Sequence, residues 1–330
     1  MTHKERVLGA LKGEALDRLP VSAWMHFPRE DKTAEGMVNA FTRFQTAYDW
    51  DIAKLMYRNS FPYEDLGVKS GDEMPDYGWY RRVSQAVLKP SDWNTLKVLD
   101  PKKGALAEMV GVTKIVSQKM GPSIMKLATV FTPLMVAHQI AGTERLQEDM
   151  KSSPKNVHQG LEAITQGVID FTLACLDAGA DGIFFATGEA NKGFCAPKEY
   201  GEFGHPYNKR VLEAVRDKAE MIMMHICGQD IYFEEFADYP VDALNWDDRN
   251  TAPSLKEARK LTGKCLMGGV DMRQTLFKGS AAEVETQIRA SVEAAGKRKL
   301  IITPGCGIPC KCPPENLKAM VRAASGIKAD

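Results

Sequence analysis

Between residues 155 and 325, short apolar runs alternate with amphipathic segments, and this alternation restricts the fold more than any other feature of the chain. "NVHQGLEAITQGVIDFTLACLDAG" has apolar residues at helical spacing and stops at Gly179, which predicts a long helix. "ADGIFFAT" (180–187) is short, apolar and aromatic-rich, which predicts a strand. The order continues with a mostly helical "APKEYGEFGHPYNKRVLEAVRDKA", broken near Gly204–Pro206, then strand "EMIMMHIC", helix "DIYFEEFADY" and strand "VDALNWD". Helix "SLKEARKLTG", strand "CLMGGVD", helix "AAEVETQIRASVEAAG" and strand "KLIITPG" follow. A last helix, "PPENLKAMVRAA", opens with proline in its first turn. Five strand–helix alternations with short connections require a parallel sheet covered by helices.

The first half is less regular. "RLPVSAWMH" and "SIMKLATVFTP" read as strands, "YDWDIAKLMY" as a further one, and "EMPDYGWYRRVSQAV" as an antiparallel excursion. Seven or eight strands favour an α/β fold of the (β/α)8 TIM-barrel type over an open sheet. No GxGxxG follows the first strand, which argues against a dinucleotide-binding fold. Without an internal repeat, low-complexity tract or linker, residues 1–330 are expected to form a single domain.

Composition narrows the partners. With 43 basic and 43 acidic side chains, the charge is balanced and gives no reason to expect nucleic acid or an anionic membrane. The most apolar stretch, "SIMKLATVFTPLMVAHQIAG", is interrupted by Lys126, Pro133, His138 and Gln139, so no bilayer span is expected. Seven cysteines without a signal-peptide block suit a reducing cytoplasm, where thiols are buried, reactive or metal-bound rather than paired.

In a parallel barrel, the C-terminal ends of the strands converge on one mouth, where active sites sit. Those ends carry Thr187 with Glu189, then His225 and Cys227, then Asp247 and Asp248, then Asp271, and finally Cys306 in "PGC". His225 and Cys227 are two apart, so on a strand they share a face, and Cys306 faces the same mouth. One imidazole and two thiolates suit zinc, with three protein ligands leaving a position open for substrate. Asp247 or Asp248 could fill that position at rest. Cys175 and Cys265 read as packing residues, and Cys195 has no assigned role. Cys310 and Cys312 stay open between loop thiols, alternative ligands and redox partners of Cys306. Asp181 reads as a cap or loop residue, His138 and His205 as structural. His26 faces the mouth, as a satisfied structural histidine or as part of the site.

The chain resembles the uroporphyrinogen decarboxylase superfamily over nearly its whole length. The matching pieces are "ERVLGALKGEALDRLPV", "DAGADGIFFAT", "PYNKRVLEAV", "HICG", "MGGVD" and "ITPGCGIPCKCPPENLKAMV". The resemblance implies a (β/α)8 barrel. In the porphyrinogen decarboxylases an arginine-bearing loop, "RQAGR", follows the opening Pro-Val and grips substrate carboxylates; here the place reads "SAWMHFPRED", with only Arg29 near it. The other branch consists of zinc-dependent methyltransferases that move a methyl group from a methylated corrinoid protein to a thiol. Their His-x-Cys and distant Cys map onto His225, Cys227 and Cys306, and an acid near the zinc maps onto Asp247. "CGIPCKC" departs from that pattern at Cys310 and Cys312. The resemblance therefore implies Zn2+ as cofactor, methylcobalamin or another corrinoid as methyl donor, a corrinoid protein as partner and a small thiol or related acceptor. It is also compatible with a homodimer. Two other readings are a metal-free decarboxylase of a tetrapyrrole or other carboxylate, using Asp247 or another acid at the mouth, and a non-catalytic corrinoid- or zinc-binding accessory protein.

Overall fold

The alternation read from the sequence becomes a curled parallel sheet in the computed structural model, which describes residues 1–74 and 76–329. The first strand is β1 (Ile52–Leu55), followed by a separate antiparallel hairpin of β2 (Ser70–Glu73) and β3 (Tyr80–Arg82). The sheet continues with β4 (Met125–Phe131), β5 (Gly182–Thr187), β6 (Met221–Ile226), β7 (Ala243–Trp246), β8 (Cys265–Val270) and β9 (Leu300–Pro304). Each strand pairs in parallel with the next, in the order β1-β4-β5-β6-β7-β8-β9. Helices on the outside connect them, giving the (β/α)8 barrel.

The eighth strand position is filled by residues 20–22. Ser22 N donates to Ile302 O (3.0 Å), Ile302 N to Pro20 O (2.9 Å), and Asp51 N to Val21 O (3.0 Å), so the segment bridges β9 and β1. The expected strand over "RLPVSAWMH" is cut down to the single bridge Val21–Ile302. Pro20 has no N–H to offer, and the Val21 N–H is taken by the Asp51 carboxylate (2.8 Å).

That carboxylate organises the N-terminal end of the barrel. Asp51 is fully buried and accepts from Arg6 (2.7 Å), Arg18 (2.6 and 3.0 Å) and His3 (3.0 Å). The helix His3–Lys12, opened by a Thr2/Glu5 capping box, is thereby fixed beneath the sheet. Beside it, Asp181 binds both Lys4 (2.8 Å) and Lys126 (2.7 Å), which places it far from the mouth, in a structural role.

The long helix runs Pro154–Asp177 and is followed by Gly179 at φ +105°, a backbone conformation that favours glycine. The expected break is present between helices Pro197–Phe203 and His205–Val215. "DIYFEEFADY" differs from expectation, forming only a 3-10 turn at Phe233–Phe236. Phe233 packs on Trp246 and Phe236 on Tyr239, so its aromatics plug the barrel wall instead of lining one helical face. The antiparallel excursion begins at Ser70, earlier than expected, and Pro75 lies outside the described residues. Among the described residues, no helix is long and apolar enough to cross a membrane.

Candidate metal centre

Strand register brings the polar residues of the mouth together. Ala186 pairs with His225, His225 with Asn245, and Asn245 with Met267, so the His225 and Asn245 side chains sit side by side. Cys227 follows the end of β6 and is anchored by its N–H to Thr187 O (2.8 Å). Gly228 then turns the chain away at φ +121°. Cys306 arrives from the end of β9 through Gly305. A Cβ on Gly305 would stand 2.4 Å from the Asp247 Cα, so only glycine lets the β7 and β9 ends touch here.

His225, Cys227 and Cys306 offer ligand atoms that all lie within 4.8 Å of one another, and this is a metal-type cluster found among the described residues. Zinc arms of about 2.3 Å to sulfur and about 2.05 Å to nitrogen at the tetrahedral angle separate the two atoms by about 3.6 Å. The Cys306 Sγ and His225 Nε2 atoms are 3.6 Å apart. The imidazole is also oriented from behind. Asn245 donates its Nδ2 to Met267 O (2.9 Å), Thr303 Oγ1 (3.2 Å) and Pro304 O (3.1 Å), which leaves Oδ1 to accept from His225 Nδ1 (2.6 Å). Nε2 therefore presents its lone pair to the thiols. Of those thiols, Cys306 is held well below the usual thiol range, because the Cys227 S–H donates to it. Cys306 in turn, with burial, pushes Cys227 up. The donor set fits zinc.

The two acids after β7 part company. Asp247 stays at the mouth, held by Asn250 (2.9 Å) and Arg273 (3.2 Å). Burial pushes its carboxyl up, against the pull of the Asn250 hydrogen bond and the Arg273 charge. Asp248 turns outward under helix Leu255–Leu261 and accepts from Gly269 N (2.9 Å), with burial pushing it up to about 7. It is a structural group. Asp271 caps the π turn Gln274–Lys278 by accepting from Arg273 N (2.7 Å) and Gln274 N (2.8 Å), and so aims Arg273 at Asp247. Tyr77, on the β2–β3 turn, accepts from Arg273 Nε (3.1 Å) and brings the hairpin over the mouth.

The family model for uroporphyrinogen decarboxylase (URO-D) matches residues 2–327. The chain belongs to the uroporphyrinogen decarboxylase family. Among relatives, a methylcobamide:CoM methyltransferase of Methanosarcina mazei is 22% identical over 99% of this chain and 98% of its own length. A uroporphyrinogen decarboxylase of Christiangramia forsetii is 26% identical over 99% of this chain and 100% of its own. In structure, a methyltransferase from Methanosarcina mazei superposes with a TM-score of 0.88 at 22% identity, covering 99% of both chains.

Other residues of this family member divide clearly between scaffold and mouth. Cys310 donates its S–H to His26 O (3.4 Å) and Cys312 to Leu276 O (3.1 Å); burial pushes them up to about 11 and about 12. Neither belongs to the ligand cluster. Cys175 and Cys265 are buried in the core, and Cys195 donates to Glu189 O (3.5 Å). His205 is held by Tyr239 and Glu235, a structural position. His138 binds Glu189 (2.8 Å) and Thr143 (2.8 Å) and so braces the loop after β5. His26 is not satisfied, since its buried Nδ1 has no partner.

Three groups at the mouth escape a reading of strand ends alone: Asn245, Lys54 and Arg273. The first two were detectable as single polar residues inside buried strands, Asn245 in "ALNW" and Lys54 in "IAKL". Arg273 sits in a loop among ordinary surface charges and left no such mark.

Proposed function

We propose that the chain is a methyltransferase that moves a methyl group from a methylated corrinoid protein to a small thiol, with zinc held by His225, Cys227 and Cys306. The observation that carries this reading is the 3.6 Å spacing of Cys306 Sγ and His225 Nε2, with the imidazole turned to the thiols by Asn245. Zinc bound there would take the acceptor's sulfur and keep it as thiolate, the nucleophilic form, near neutral pH. A C–S bond forms as the Co–C bond breaks, and the electron pair stays with cobalt. Asn245 fixes the histidine tautomer through this. Asp247, held at the mouth by Asn250 and Arg273, would be the acid nearest a metal there and could hold the remaining position until an acceptor binds. A corrinoid is large, so the donor docks over the mouth on its own protein. The whole chain acts as one domain, in the cytoplasm.

Elemental analysis of the purified protein tests this. About one zinc per chain is expected in the native protein. It is lost in His225→Ala, Cys227→Ala and Cys306→Ala, and Asn245→Leu weakens zinc affinity by about 10–100-fold. The zinc-loaded protein then demethylates methylcobalamin in the presence of a thiol. A native protein that takes up no zinc would sink this reading in favour of decarboxylation without metal. Zinc binding with no methyl transfer to any thiol would favour an accessory role.

A further inference from the structure

Of the five tryptophans in the chain, four are buried in the core. The fifth, Trp79, enters β3 from the hairpin turn and is 47% exposed. A tryptophan left facing water forgoes the burial that the other four gain. Its surroundings are nonetheless fixed on several sides. A Cβ on Gly78 would stand 2.7 Å from Pro28 and 2.8 Å from the Cys310 Sγ, so the tip is pressed against both. Cys310 N donates to Asp76 O (2.8 Å), Arg273 Nε to the Tyr77 hydroxyl (3.1 Å), and Tyr80 N to Asn59 Oδ1 (2.8 Å). Arg273, Cys310, Pro28 and Asn59 belong to the loops after β8, β9, residues 20–22 and β1, which are consecutive positions around the barrel. The hairpin is therefore clasped along one side of the mouth's rim. Tyr77 and Trp79 meet edge to face with centroids 6.0 Å apart, and Met74 and Val83 of the same hairpin are also exposed.

An aromatic edge held in place yet left open is what a contact surface needs before its ligand arrives. Arg273 joins this edge to the site, since its Nη1 donates to Asp247 (3.2 Å) while its Nε holds Tyr77. In-line transfer of a methyl group requires cobalt, carbon and sulfur on one axis, so the corrin plane has to lie across the mouth. A macrocycle lying there overhangs the rim, and its edge carries methyl groups and carboxamide arms. Methyl groups pack on an indole face, and an amide N–H is attracted to its π cloud. We propose that Tyr77 and Trp79 form a rim contact that grips the edge of the donor's corrin ring and positions its methyl group over the thiol cluster. The nature of the ligand rests on the methyltransferase reading. Trp79 is a positioning residue, because it holds the ring without touching the reacting atoms.

Steady-state kinetics with free methylcobalamin and 2-mercaptoethanol test this in the zinc-loaded protein. Trp79→Ser raises the KM for methylcobalamin at least about tenfold. The KM for the thiol and the zinc content stay native, and Trp79→Phe restores the KM to within about threefold of native. A native KM for methylcobalamin in Trp79→Ser, an equal rise in the thiol KM, or no recovery in Trp79→Phe overturns the proposal. If the protein transfers no methyl group, the methyltransferase reading fails separately, and equilibrium dialysis with methylcobalamin in the absence of thiol decides the contact. Binding to native protein that weakens at least about tenfold in Trp79→Ser sustains it. No binding, or equal binding to both, overturns it.

Discussion

The two ends of the barrel treat buried charge in opposite ways. At the N-terminal end every buried ion has a partner at hydrogen-bond distance: Asp51 is shared by Arg6, Arg18 and His3, and Asp181 by Lys4 and Lys126. At the C-terminal end Lys54 has no carboxylate partner among the described residues, His26 has an orphaned nitrogen, and the Asp247 carboxyl is pushed up. Breaking a matched buried pair is costly, and unmatched buried charge is a common mark of a site where something else binds. The contrast locates function without reference to any relative.

The largest effect is expected at the matched end. Asp51→Ala leaves Arg18 and the Val21 N–H without their acceptor and Arg6 with Asp17 alone, and loses about 3–5 kcal/mol of stability, read from urea unfolding. Zinc content per folded chain stays native, because the thiol cluster is at the other end. A loss of zinc in folded protein would break the division drawn above.

The unmatched end predicts the reverse sign. Lys54→Met removes an unpaired buried charge and stabilises the ligand-free protein by on the order of 1–3 kcal/mol at pH 6. Burial lowers the folded pKa of Lys54 to about 7, below its unfolded value of about 10.4. Between those values the unfolded chain holds a proton that the folded chain has released, so native stability rises with pH. The advantage of Lys54→Met is therefore full below about pH 7 and fades toward pH 10, as thermal unfolding at both ends of that range would show. An advantage that does not change with pH would mean that packing, not charge, is what the substitution altered.

The smallest effect is expected at Cys310. Its thiol only donates to a carbonyl, so Cys310→Ala shifts stability by about 0.5 kcal/mol or less and leaves zinc content unchanged. A drop in zinc would move Cys310 into the ligand set and redraw the border between scaffold and mouth.

How much was legible follows from which interactions are local. Strand and helix identity from residue 154 onward was written in hydrophobic period, apart from "DIYFEEFADY", and strand ends named His225, Cys227, Cys306 and the pair Asp247 and Asp248 because parallel strands converge. The first half was harder, since the segment at 20–22 is a strand by position but not by ladder, with Pro20 and the Asp51 carboxylate consuming its pairing groups. Strand ends alone did not tell Asp247 from Asp248; the choice of Asp247 came from the family resemblance. Which of two adjacent acids faces the mouth depends on strand register, and register is set by partners some twenty residues away, such as Gly269 for Asp248.

The glycine between Pro304 and Cys306 has a consequence for how such a mouth can change. Because Gly305 packs directly on the Asp247 backbone, Asp247 and Cys306 ride on two main chains in contact, and neither can be repositioned without the other. Lys54 comes from β1 and His26 from the loop after residues 20–22, on side chains not tied to that contact. One half of the cup is set in stone and the other is upholstery. A descendant chain adopting a new acceptor is free to exchange the soft half, one side chain at a time, while inheriting the hard half whole.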